Sequence, residues 1–153
     1  MQSIEVRPVA VVRNARDAVK DDDWGGVVSE ITLVDEMEPD CLDGIEAFSH
    51  AEIIFHFDRV GNAAIVSGAR HPRNNPAWPK VGIFAQRGKN RPNRIGLCTV
   101  RILERRGPTL VVSGLDAIDG SPVIDIKPVM REFEPQGTLE QPRWATELMQ
   151  RYW

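Results

Sequence analysis

The densest chemistry in this 153-residue chain lies at 84–96, FAQRGKNRPNRIG. Arg87, Lys89, Arg91 and Arg94 are interleaved there with Asn93 and a proline, which keeps polar donors close to the backbone. A guanidinium offers paired N–H donors that match two oxygens of a carboxylate or phosphate. A plain charged surface loop has the same composition. A second segment, SGLDAIDGSPVIDIK at 113–127, sets Asp116, Asp119 and Asp125 near turns, with Gly114 and Gly120 permitting close backbone approach. Carboxylates at strand ends accept hydrogen bonds from a ribose or an amino group. Asx turns that only hold a hairpin explain Asp119 equally well.

The third segment, FSHAEIIFHFDR at 48–59, carries His50, His56, Asp58 and Arg59. Six apart, the two histidines share a face of any regular strand. A metal needs a third ligand, and His71 falls in a separate loop, so no metal site is expected. His50 reads as a hydrogen-bonded histidine at a strand start and His56 as a half-buried strand residue. Asp58 and Arg59 pair with each other or face a site. Nucleophilic catalysis is not indicated: there is no nucleophile elbow, and neither Cys41 nor Cys98 has a basic sequence neighbour.

Charge is unevenly spread. Residues 70–106 hold ten basic side chains and one acid, a net +9 inside a chain of net charge −3, which leaves −12 elsewhere. Such a segment suits a partner bearing phosphates, or it pairs with the acidic remainder across the fold.

These segments need a scaffold, and the chain reads as strands. Residues 4–12, 27–34 and 51–57 read as three strands, the third buried on both faces. The stretch 81–86 is a fourth strand, 97–103 and 109–115 form a hairpin about ERRGP, and SPVIDIKPV closes the series. PDCLDGIEAF suggests a turn and short helix capped by Asp40. Three prolines and two asparagines make 68–80 a long loop. The tail QPRWATELMQRYW alone looks helical, with Trp144, Leu148 and Trp153 on one stripe. The expectation is all-β: one domain over 1–153, a small β-barrel of short strands with a short C-terminal helix. No strand-helix-strand alternation exists, which excludes the doubly wound α/β architecture, and no GxGxxG follows a strand. No apolar run approaches the ~18 residues of a membrane span, the first residues do not read as a signal peptide, and the expected compartment is cytoplasmic.

Three segments together, GIEAFSH before an apolar strand, FAQRGKNRPNRIGL and GLDAIDGSPVIDIKP, resemble the TsaA-like, or TrmO, family from about Val9 to Pro128. Its members include the methyltransferase acting on N6-threonylcarbamoyladenosine beside the tRNA anticodon. The resemblance implies a small β-barrel, a homodimer, and S-adenosylmethionine held between strands and loops. It implies cofactor contacts at Arg87, Leu97, Ser113, Gly114, Leu115 and Asp116. Arg87 suits the carboxylate, Leu97 the adenine and Asp116 the ribose or amino-acid hydrogens. Where the family carries a PRQP-like motif this chain has DDDWGG at 21–26, so Trp24 is a candidate to stack on adenine and the acids to meet the sulfonium. Where the family has a histidine after the apolar strand, this chain has Asp58 and then Arg59, which joins them to the cofactor candidates.

Asp58, His50 and Asn93 are the polar groups expected near a methyl acceptor, and Lys89, Arg91 and Arg94 those expected on RNA. Two other readings stay open: a methyltransferase of the same fold acting on a small molecule, and a non-catalytic RNA-binding barrel. Against the latter, 84–106 has a single aromatic, Phe84, for base stacking.

Overall fold

In the computed structural model, which describes residues 2–153, six antiparallel strands close into a barrel. They are β1 (Ala10–Arg13), β2 (Val28–Leu33), β3 (His50–His56), β6 (Ile95–Arg106), β7 (Thr109–Ser113) and β8 (Pro122–Pro128). Their order around the cylinder is β1-β2-β7-β6-β3-β8, and β8 pairs back onto β1. Two short strands, β4 (Ala69–Arg70) and β5 (Val81–Gly82), pair outside it. The all-β barrel expectation holds.

Strand alternation explains the closure. In β3, Ala51, Ile53 and Phe55 point inward and are buried, while His50, Glu52, Ile54 and His56 point outward. A barrel has one interior, so this run is buried on one face and not on both as its composition suggests. Strand β6 follows the same rule: Gly96, Cys98 and Val100 are buried, whereas Ile95, Leu97, Thr99 and Arg101 face out. Its first half pairs with β3 and its second with β7, where the register shifts between Ile102 and Glu104. Inward residues of all six strands, among them Val12, Ile31, Phe55, Val100, Leu110 and Val123, form one core.

Several boundaries differ from the sequence expectation. Pairing begins near Val9 rather than at residue 4, and Ile4 and Val6 are exposed. After Gly82 the chain turns into a 3-10 helix, Ile83–Ala85, because the Gln86 side-chain amide donates to the carbonyls of Arg70 and Val81 and draws the chain back on itself. PDCLDGIEAF forms two 3-10 turns, and Asp40 lies inside the first of them; the position before it is Glu38, which makes no side-chain cap. Helix α1 spans only Arg143–Leu148, so Trp153 lies beyond it rather than on its apolar stripe.

Topology decides where the loops go. The connections β1–β2, β3–β6 and β7–β8 all emerge at one rim of the cylinder, while β2–β3 and β6–β7 emerge at the other. The first rim therefore gathers residues 14–27, 57–94 and 114–121.

Candidate functional site

That rim assembles most of the sequence candidates. The Arg87 guanidinium donates through Nη2 to the Leu97 carbonyl at 2.5 Å, holding the 86–91 loop against the start of β6. The Leu97 side chain faces outward and is partly exposed. Beside it, Cys98 Sγ donates to the Gly114 carbonyl at 3.2 Å, which fastens the segment leaving β7 alongside β6. Gly114 adopts a positive φ of 79°, a conformation that suits glycine. It is followed by buried Leu115 and by Asp116, whose Oδ1 is buried without a hydrogen-bond partner. Arg87, Leu97 and Ser113–Asp116 thus meet at one place. Burial, reinforced by the neighbouring Asp116 charge, pushes the Cys98 thiol well above its ordinary range and keeps it protonated.

The DDDWGG loop works differently from expectation. Asp22 takes a two-pronged bond from Arg73 (2.6 and 3.0 Å), and Asp21 an ion pair from Lys89 (3.3 Å). The Arg73 hydrogen bond holds the Asp22 carboxyl below its ordinary range. Asp21 and Asp22 are therefore committed to neighbouring rim residues rather than free to meet a sulfonium, while the exposed Asp23 side chain has no partner among the described residues. Trp24 is 3% exposed and carries the Arg16 guanidinium 4.1 Å over its ring centroid. It is a wall of the loop, with no open face on which adenine could stack.

Other candidates are spread around the rim. Arg59 donates to the carbonyls of Asp17 and Asp119, both at 2.7 Å, and so ties three loops together instead of facing a ligand. Asp119 Oδ1 accepts the Asn14 N–H across 105 residues of sequence, a bond between two rim loops rather than a local Asx turn. Asp125 pairs with Lys127 on β8, away from this cluster. Asp58 and Asn93 are exposed on adjacent turns, linked by the Phe57 N–H to Arg94 carbonyl bond (2.8 Å). His50 is not with them. It opens β3 at the opposite rim, where its Nδ1 meets Ser49 Oγ at 2.7 Å, and it pairs in register with Arg101.

The basic segment is partly neutralised. Arg73 and Lys89 pair with Asp22 and Asp21, Arg105 with Asp43 and Glu46, and Arg106 with Glu30 and Glu104. Arg91 and Arg94 hold their own loops, donating to the carbonyls of Gln86 (3.0 Å) and Val60 (2.7 Å). Asp23, Arg73 and Arg94 all have φ between 49° and 63°, so backbone strain is concentrated in these rim loops. Arg101 faces outward on β6, with no carboxylate partner among the described residues.

Two features carried no local sequence signal. Residues 151–152 run beside 23–24, with Asp23 N–H donating to the Arg151 carbonyl (2.9 Å) and Trp24 N–H to that of Tyr152 (2.7 Å). The Tyr152 hydroxyl donates to Asp116 Oδ2 at 2.5 Å, across 36 residues of sequence. Burial and the Asp116 charge drive the Tyr152 phenol far above its ordinary value, so it stays a neutral donor.

Residues 22–134 match the family described as the tRNA-methyltransferase O N-terminal domain. The chain belongs to this family. It is 38% identical over 138 residues to a probable S-adenosyl-L-methionine-binding protein of Methanothermobacter thermautotrophicus, covering 88% of this chain and 96% of that one. A probable S-adenosyl-L-methionine-binding protein of Archaeoglobus fulgidus is 34% identical over 92% of this chain, and the human tRNA (adenine(37)-N6)-methyltransferase 40% identical over 65%. The chain spans only 38% and 22% of the length of those two. The crystal structure of TrmO from Pseudomonas aeruginosa superposes with a TM-score of 0.71 at 23% identity, covering 91% of this chain and 62% of that one; this likeness confirms the fold. The family match contains Arg87, Leu97 and Ser113–Asp116, and ends before Tyr152.

Proposed function

We propose that this chain is an S-adenosylmethionine-dependent methyltransferase that methylates N6 of an adenosine in tRNA, with N6-threonylcarbamoyladenosine beside the anticodon as the acceptor. The observation that carries it is the meeting of Arg87, Leu97 and Ser113–Asp116 at one rim of the barrel, from segments far apart in sequence. These residues fit the cofactor. A buried carboxylate oxygen without a partner, Asp116 Oδ1, is an acceptor suited to a ribose hydroxyl or an ammonium hydrogen. Arg87 spends one terminal nitrogen on Leu97 and keeps further donors for a carboxylate. Exposed Leu97 offers apolar surface to an adenine ring.

S-adenosylmethionine supplies an electrophilic methyl group. The protein's part is to hold the acceptor nitrogen in line with it, since such displacements depend on positioning. A carbamoylated N6 carries a more acidic proton than a plain amine, so no strong base is required of the chain. Asp58 and Asn93, on neighbouring turns of the same rim, are the groups we assign to acceptor contact. His50, at the other rim, is outside this assignment. The expected working form is a cytoplasmic homodimer whose single domain spans residues 1–153.

A small-molecule acceptor is the second reading. It is favoured by the ion pairs that remove Arg73, Lys89, Arg105 and Arg106 from the free positive charge. Mass spectrometry of nucleosides from tRNA incubated with protein and S-adenosylmethionine decides between them. A new methylated N6-threonylcarbamoyladenosine is expected. Cofactor binding by calorimetry without any change in tRNA nucleosides would leave the small-molecule reading. Absence of cofactor binding would overturn both.

A further inference from the structure

The segment 151–153 lies directly on the residues given above to the cofactor. Tyr152 takes Asp116 Oδ2, and Asp116 Oδ1 is left buried and unpartnered. The Trp153 backbone sits so close to Gly25 that a Cβ there would stand 2.8 Å from the Trp153 carbonyl carbon, and the Trp153 ring lies 4.0 Å from the Cβ position of Gly114. Two backbone hydrogen bonds, to the amides of Asp23 and Trp24, complete the attachment. Trp153 itself remains 59% exposed.

The chemistry of the contact matters more than its size. A hydroxyl donating to a carboxylate is the bond that a ribose hydroxyl makes. A phenol has one such hydrogen and satisfies one oxygen. A vicinal diol has two and can satisfy both, relieving the cost of the buried unpaired oxygen. We propose that residues 151–153 form a strap, in which Tyr152 occupies Asp116 until the ribose diol of an adenosyl ligand displaces it. This rests on the cofactor reading above. The strap lowers apparent affinity by the fraction of molecules in which it is open. It also closes the buried carboxylate off from water when no ligand is present. The phenol is held protonated by its surroundings, so the strap works as a donor throughout the physiological pH range.

Two variants loosen the strap in different ways. Tyr152→Phe removes the hydroxyl, and Gly25→Ala pushes on the Trp153 backbone without touching Asp116. Titration calorimetry with S-adenosylhomocysteine should show roughly tenfold tighter binding for Tyr152→Phe, the size of one charge-assisted hydrogen bond, and a smaller gain for Gly25→Ala. In the wild type, adding S-adenosylhomocysteine should speed hydrogen exchange at the amides of Asp23 and Trp24, whose acceptors belong to the strap. Ligands generally slow exchange near their sites, so acceleration at these two amides is the signature of displacement. Weaker or unchanged binding in both variants, or slower exchange at 23 and 24, would overturn the strap and make Tyr152 a wall of the site. If neither wild type nor variants bind S-adenosylhomocysteine or S-adenosylmethionine, the cofactor reading falls and takes the strap with it.

Discussion

Gly96 lies face-on against the ring of Phe55, its register partner across the β3–β6 ladder. A Cβ at Gly96 would stand 2.7 Å from both Cε atoms of that ring, and Phe55 is fully buried. This gives a physical reason for the glycine that ends the RPNRIG stretch: the barrel interior spends its volume on the phenylalanine.

Gly96→Ala should therefore destabilise the barrel by about 1–3 kcal/mol, the usual cost of overpacking a filled core. Thermal denaturation checks it. A melting temperature equal to that of the wild type would show that the Phe55 ring can shift at no cost.

Arg87→Ala should weaken S-adenosylmethionine binding by about 1.5–3 kcal/mol, the range for a charged hydrogen bond. The effect should be smaller for a cofactor fragment lacking the amino-acid carboxylate, because that is the group assigned to the guanidinium. Equal losses for both ligands would mean that Arg87 acts only by holding the Leu97 carbonyl.

The Asp22–Arg73 pair should make the rim loops acid-sensitive. Its hydrogen bonds lower the Asp22 pKa from the ordinary 3.8, so its stabilisation is complete above that value and is lost as pH falls below it. Both side chains are over a quarter exposed, which limits the pair to about 1 kcal/mol. Asp22→Asn should be less stable than the wild type at pH 7, and the gap should narrow below pH 3.8. A gap independent of pH would point to packing rather than charge.

Lys80→Glu tests RNA contact with an exposed side chain of the site rim that carries no internal hydrogen bond or ion pair among the described residues. RNA affinity should fall and the slope of its salt dependence should drop by about one per lost phosphate contact, with S-adenosylmethionine affinity intact. Fluorescence anisotropy with natively modified tRNA at several salt concentrations is the measurement. Charge reversal at Arg91 or Arg94 is a poorer probe, since both anchor loop carbonyls and their loss should instead lower the melting temperature.

The barrel was legible because alternation is written into each strand: Ala51, Ile53 and Phe55 in, their neighbours out. The charged loop and the aspartate-bearing segment were legible because their chemistry is contiguous. What local spacing could not carry were partnerships made across the fold. Asp22 finds Arg73 51 residues away, and Asp116 finds Tyr152 36 residues away. Trp24 misled for a related reason. An aromatic beside glycines looks available for stacking until Arg16 is found lying over it. Asp58 and His50 are close in sequence but sit at opposite rims, because one strand length separates them.

One property of the closed cylinder reaches beyond the site. Since β1 and β8 are hydrogen-bonded neighbours, with Ala10 opposite Val123, the chain enters and leaves the barrel at the same seam. Polypeptide can be added at that seam on either side without opening a single ladder. The barrel is in this sense a cassette with adjacent ends, and the relatives it matches range from chains slightly shorter than it to chains several times its length.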